Sequence, residues 1–199
     1  METQNLFPTA ICIFDLDRDL TNNELKTIEL NLKKMEKNTG NYISKNKYIL
    51  NDSVLKNLKK FFDDSIDNCL KTVFQEKTKL QITQSWLNKT TKNEFHHMHT
   101  HPNSYLSGVF YIRTEDNDKI TFHKNNIRSM YYKPTYENLN IYNSSNWWLP
   151  AKQNTLLLFL SDTWHSVPPV ENKERISLSF NTFFAEDFGS KSEATLLDV

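Results

Sequence analysis

The hydrophobic period of this chain changes at Lys79, and the change limits what the chain can build. From there Leu80, Ile82, Gln84, Trp86 and Asn88 share one parity, as they would on a strand. A turn-rich break at 89–93 follows, and then short runs of β-formers at 106–113, 119–123, 154–160 and 174–184. Pro102 must end or edge the strand before it. Upstream of Lys79 the pattern differs. Residues 9–16 read as a first strand. Thr21 to Glu24 fits a capping box, and Leu25, Ile28, Leu32 and Met35 predict a helix to about Asn38. A short strand is expected within 42–50. Asn51 or Ser53 should then cap a second helix, whose apolar stripe runs through Leu58, Phe62, Ile66 and Cys69. Helices first and then many short strands is the pattern of a β-sandwich or jelly roll with helices packed on one sheet.

Length and composition narrow this further. At 199 residues and 23.5 kDa, one domain is expected: 1–78 a helical N-terminal support, 79–184 the β-core, 185–199 a loose polar tail. Gly40, Gly108 and Gly189 are the only glycines, which excludes the Gly-rich phosphate loops of nucleotide-binding folds. Basic and acidic residues number 24 each, which argues against a nucleic-acid module driven by bulk charge. Cys12 and Cys69 both sit in apolar contexts and are expected as buried thiols rather than a disulfide. The first eight residues carry no basic leader, and no apolar run reaches the roughly 20 residues of a membrane span. The expectation is a soluble cytoplasmic protein with no membrane partner. Nothing in the sequence indicates an oligomeric state.

The chemistry concentrates in residues 96–104. His96, His97, His99 and His101 lie here, four of the six histidines. On a regular strand His97, His99 and His101 would share one face, and parity would remove His96. Three imidazoles on one face repel when protonated, and a divalent metal relieves the repulsion by taking them as neutral ligands. His165 offers a remote third ligand, and Arg175 follows it by ten residues. Isolated cysteines do not suit a zinc finger, whereas three ligands leave coordination positions open, as in catalytic sites. Iron is commonly held by two histidines and a carboxylate. No Asp or Glu stands two residues after any histidine of the stretch; Glu94 precedes His96 in the reverse order.

The run from His99 to Ile112, the later His165-Ser166-Val167, and Arg175 to Asn181 resemble the Fe(II)/2-oxoglutarate oxygenases of bacteria and their phages. The likeness covers roughly residues 85–184, with Ser85-Trp86-Leu87-Asn88 at its start and Trp147-Trp148 within it. It implies a mainly β, α+β chain with a double-stranded β-helix (a cupin-like jelly roll). It also implies Fe(II) held by His99, His101 and His165, and 2-oxoglutarate held at its far carboxylate by Arg175, whose planar fork suits that group. Ser177 shares the parity of Arg175 and could add a hydroxyl donor. Tyr111 is similar to a tyrosine that hydrogen-bonds the cosubstrate in related hydroxylases. The implied reaction uses dioxygen to hydroxylate a substrate that the sequence does not identify, releasing succinate and carbon dioxide. The wider superfamily uses His-x-Asp where this chain has His99-Thr100-His101. A rival pairing of His97 with His99 would leave His101 behind the metal or facing the substrate. Residues 125–150 are the candidate substrate lid. Two other readings compete: a cupin-like metalloprotein with non-oxygenase chemistry, for which Arg175 would bind an anionic substrate directly, and a non-catalytic binding module presenting the aromatics of 125–150.

Overall fold

The alternation after Lys79 resolves into two antiparallel sheets packed face to face. The computed structural model describes residues 1–124, 135–171 and 173–198. The larger sheet runs β1 (Ile11–Asp15), β9 (Thr155–Leu160), β6 (Leu106–Arg113), β11 (Glu174–Phe184), β4 (Leu80–Thr91), β3 (Tyr42–Ser44) and β2 (Met35–Lys37), in that spatial order. The smaller runs β5 (His96–His99), β10 (His165–Val167), β7 (Lys119–His123) and β8 (Asn146–Pro150). This is the double-stranded β-helix expected from the motifs.

Strand parity divides the larger sheet's side chains between two cores. Phe110, Ile112, Leu156, Leu158, Leu178 and Phe180 pack with the helices, while Val109, Tyr111, Leu157 and Phe159 pack with Ile120 of β7 and Ala151. The helices are α1 (Asn22–Leu32) and α2 (Lys56–Cys69). Phe62 of α2 lies 5.4 Å from Phe110 and 5.0 Å from Phe180, ring centre to ring centre. The α1 start is the expected capping box: the Thr21 side chain accepts from the Glu24 backbone, and the Glu24 carboxylate accepts from the Thr21 N–H. None of the described helices is long and apolar enough to cross a membrane.

Several expectations need correction. α1 stops at Leu32, and Met35 to Lys37 form β2, because Asn38 and Asn41 close a tight turn around Gly40 that folds the chain back onto β3. Gly40 has φ of +88°, and a Cβ there would run into Phe95. The second helix is introduced by neither Asn51 nor Ser53. Asp52 accepts from Val54 N at 2.9 Å and caps a single 3-10 turn that leads into α2. Residues 1–78 therefore supply three strands to the larger sheet as well as helices. Cys12 and Cys69 are joined as a disulfide rather than held as thiols, because β1 lies under the C-terminal end of α2 and brings their Cα atoms to 6.4 Å. The tail makes contacts of its own. Phe188 stacks on Phe184 at 3.8 Å and bridges to Leu197. Of the segment 125–150, residues 125–134 lie outside the described part, and Asn146 to Pro150 form the edge strand β8.

Candidate metal centre and anion pocket

His99 on β5 and His165 on β10 are direct cross-strand partners. His101 lies beyond the end of β5 and is drawn back by its backbone N–H, which donates to Ser161 O at 2.9 Å. Each of the three offers a ring nitrogen, and the three nitrogens lie within 4.8 Å of one another. Their protonation suits ligation. His99 Nδ1 lies 2.7 Å from His97 O, and His165 Nδ1 lies 2.9 Å from Thr163 O. A carbonyl only accepts, so each Nδ1 carries the proton and each Nε2 keeps its lone pair for a metal. Burial pushes His165 down to about 2 and His101 down to about 4, and the neighbouring His99 adds to both. Burial lowers His99 as well, against the hydrogen bond to His97 O, which raises it. The three rings are therefore neutral at pH 7, the form that binds metal.

Strand parity fails inside β5. His165 pairs with His99 but Val167 pairs with His96, so β5 spends one residue more than β10 over the same length. This bulge turns His96 inward and takes His97 out of the alternation. His96 stacks 4.4 Å from His99 and lines the cavity, whereas His97 does not line it. His96 is no fourth ligand in this arrangement, since its Nε2 accepts from Asn38 Nδ2 at 3.3 Å. Burial, with the charges of His99 and His97 next, lowers His96 to about 3. His97 Nδ1 faces Thr39 O at 3.5 Å. The β2–β3 turn, hidden in the sequence behind an apparent helix, thus braces both extra histidines. His123 hydrogen-bonds Ser166 Oγ at 2.8 Å and stands apart from the triad.

The cavity beside the triad is walled by β4 and β11. Their register pairs Thr90 with Arg175, Asn88 with Ser177, and Trp86 with Ser179, and all six line the cavity. Trp86 also approaches His101, at 6.0 Å between ring centres. Arg175 is only 3% exposed. Its Nη1 donates to Lys119 O at 2.9 Å, and its guanidinium lies 5.0 Å from the Tyr111 ring centre. Among the described residues no carboxylate pairs with it. A buried, unpaired cation costs several kcal/mol, so the pocket calls for an anion. The Tyr111 hydroxyl is fully buried and has no hydrogen-bond partner. Tyr111 backs the arginine rather than lining the cavity. Trp86, Asn88, Thr90 and Ser179 are the lining residues to which sequence reasoning gave no role. Their signal was present: polar residues alternating inward along two paired strands. The described part of 125–150 contributes none of the lining.

A neutral histidine triad stands at one end of a basic pocket in this double-stranded β-helix. Solved structures share the fold. An oxidoreductase of the 2OG-Fe(II) oxygenase family from Burkholderia pseudomallei matches with a TM-score of 0.59 at 15% identity, over 86% of this chain and 83% of its own. A Trichoplax adhaerens prolyl hydroxylase, solved with a hypoxia inducible factor peptide fragment, gives 0.60 at 14% identity over 86% and 82%. HygX from Streptomyces hygroscopicus, solved with nickel, 2-oxoglutarate and hygromycin B, gives 0.57 at 10% identity over 87% and 82%. No curated protein sequence matches the chain. Residues 84–181, just under half of the chain, match the family described as "Putative 2OG-Fe(II) oxygenase".

Proposed function

We propose that the protein is an Fe(II)- and 2-oxoglutarate-dependent dioxygenase that hydroxylates a substrate still to be identified. One observation carries the reading: a neutral histidine triad and a buried arginine without a counter-ion share one cavity. His99, His101 and His165 would hold the iron. Arg175 would bind the far carboxylate of 2-oxoglutarate, Ser177 would add a hydroxyl donor, and Tyr111 would hold the guanidinium in place from behind. With iron and 2-oxoglutarate bound, the site would couple oxidative decarboxylation to C–H hydroxylation. His101 stands where a carboxylate is usual, so three neutral ligands leave the metal one charge unit more positive. That favours capture of a dianionic cosubstrate.

Calorimetry tests the assignment without knowledge of the substrate. Wild-type protein should bind Ni(II), a redox-inert stand-in, and then 2-oxoglutarate. His165→Ala should lose the metal. Arg175→Met should keep it and bind 2-oxoglutarate about 100-fold more weakly, as expected when a charge-assisted pair is removed. Unchanged 2-oxoglutarate affinity in Arg175→Met would sink the reading.

A further inference from the structure

Among the described residues that line the cavity, Asn88 alone has a fully buried side-chain atom with no hydrogen-bond partner. It is 7% exposed, its Nδ2 donates to Ser179 Oγ at 2.9 Å, and its Oδ1 has no partner. It sits on β4 directly across from Ser177, one inward-facing rung from Arg175 towards Trp86 and the histidines. We propose that Asn88 is a cosubstrate-binding residue whose carboxamide N–H donates to the carboxylate of 2-oxoglutarate that Arg175 does not hold, with the Ser179 hydroxyl serving as a reversible anchor; this rests on the reading of the pocket given above.

The chemistry turns on the anchor. A carboxylate cannot donate, so the carbonyl oxygen that now lacks a partner cannot serve it. Ser179 carries a hydroxyl, which accepts in the present arrangement and donates equally well. A half-turn of the Asn88 carboxamide therefore keeps the bond to Ser179, with Oδ1 now accepting, and brings Nδ2 to the position Oδ1 holds here. No hydrogen bond is lost and one is gained. Among the described residues no carboxylate lines the cavity to compete for that N–H. The position differs from Arg175 in kind: the arginine supplies fixed charge at the closed end, and Asn88 supplies a neutral donor at mid-depth.

The test uses Ni(II)-loaded protein and calorimetric titration with 2-oxoglutarate. Asn88→Ala should weaken binding about tenfold, the scale of one hydrogen bond to a charged group. Asn88→Asp keeps the shape and the bond to Ser179 but can only accept, so at neutral pH it should weaken binding by about 100-fold or more. Ni(II) affinity should stay at the wild-type value in both, because Asn88 is no metal ligand. If Asn88→Asp fails to fold, Ser179→Ala asks the same question by removing the anchor, with a loss of about tenfold expected. Asn88→Asp binding within about twofold of wild type, while Arg175→Met loses 2-oxoglutarate, overturns this inference alone. A wild-type protein that does not bind 2-oxoglutarate overturns the pocket reading and this inference together.

Discussion

At the scale of single residues, two kinds of buried ion are placed in opposite ways. Among the described residues Arg175 has no carboxylate partner, whereas Glu24 is saturated. Arg18 donates to both Glu24 oxygens at 2.7 Å, and the Thr21 backbone and hydroxyl add 2.8 and 3.0 Å contacts. Burial pushes the Glu24 carboxyl up, but these donors together outweigh burial and hold it below its ordinary range. A carboxyl depressed in the folded state stabilises the fold above its unfolded pKa, and that stability is lost as pH falls through the folded value. Glu24→Gln should therefore cost about 1–2 kcal/mol at pH 7. In urea titrations the gap should narrow as pH falls below the ordinary glutamate range and close only beneath the depressed folded value, where wild-type Glu24 becomes neutral as well. A gap that persisted into acid would show that the Glu24 charge is not what matters. The capping box was legible from Thr21 and Glu24 alone. The contribution of Arg18 was not, since it depends on how the chain enters the helix.

At the scale of elements, the strands marked by runs of β-formers were readable to the residue: β6, β7 and β11 fall where those runs placed them. Elements set by tertiary pairing were not. Met35 continues a helical spacing in sequence, yet it closes a hairpin because β3 and β4 offer an edge to extend. The bulge in β5 had no sequence mark, and it exchanged the places of His96 and His97 relative to strand parity. The metal set of His99, His101 and His165 came from motif resemblance. Spacing alone would have favoured the regular strand. Gly108 gives this scale its test. It pairs with Phe180 across β6 and β11, and a Cβ at Gly108 would overlap the Phe180 ring, which is itself packed on Phe62. Gly108→Ala should cost about 1–3 kcal/mol by overpacking, read as a lower urea midpoint with an unchanged slope. A substitution that proved neutral would mean that Phe180 has room to turn, contrary to the packing described.

At the scale of the whole molecule, the N-terminal region is fastened to the β-core by the Cys12–Cys69 disulfide, which closes a span of 57 residues. Loop-closure entropy for that span gives about 4 kcal/mol of stabilisation. A reductant should accordingly lower the melting temperature of the wild type and leave a Cys12→Ala/Cys69→Ala variant unmoved; equal melting with and without reductant would show that the bridge contributes nothing. Disulfides are rare where thiols are kept reduced, so the bridge weighs against the cytoplasmic location read from the N-terminus, which we retain only as a proposal. Neither the pairing nor its neighbourhood was visible in sequence, because two cysteines in apolar runs look the same bonded or free. The two sheets are also unequal in how they are tied. β4 and β11 run together from Glu174 against Thr91 to Phe184 against Leu80, while β5 joins the smaller sheet only through β10, three residues long. Two of the three histidines sit on this short seam. An ion there would act as a rivet as well as a reagent, clasping an edge strand that few backbone bonds retain, so that the site's readiness and the closure of the barrel rise and fall together.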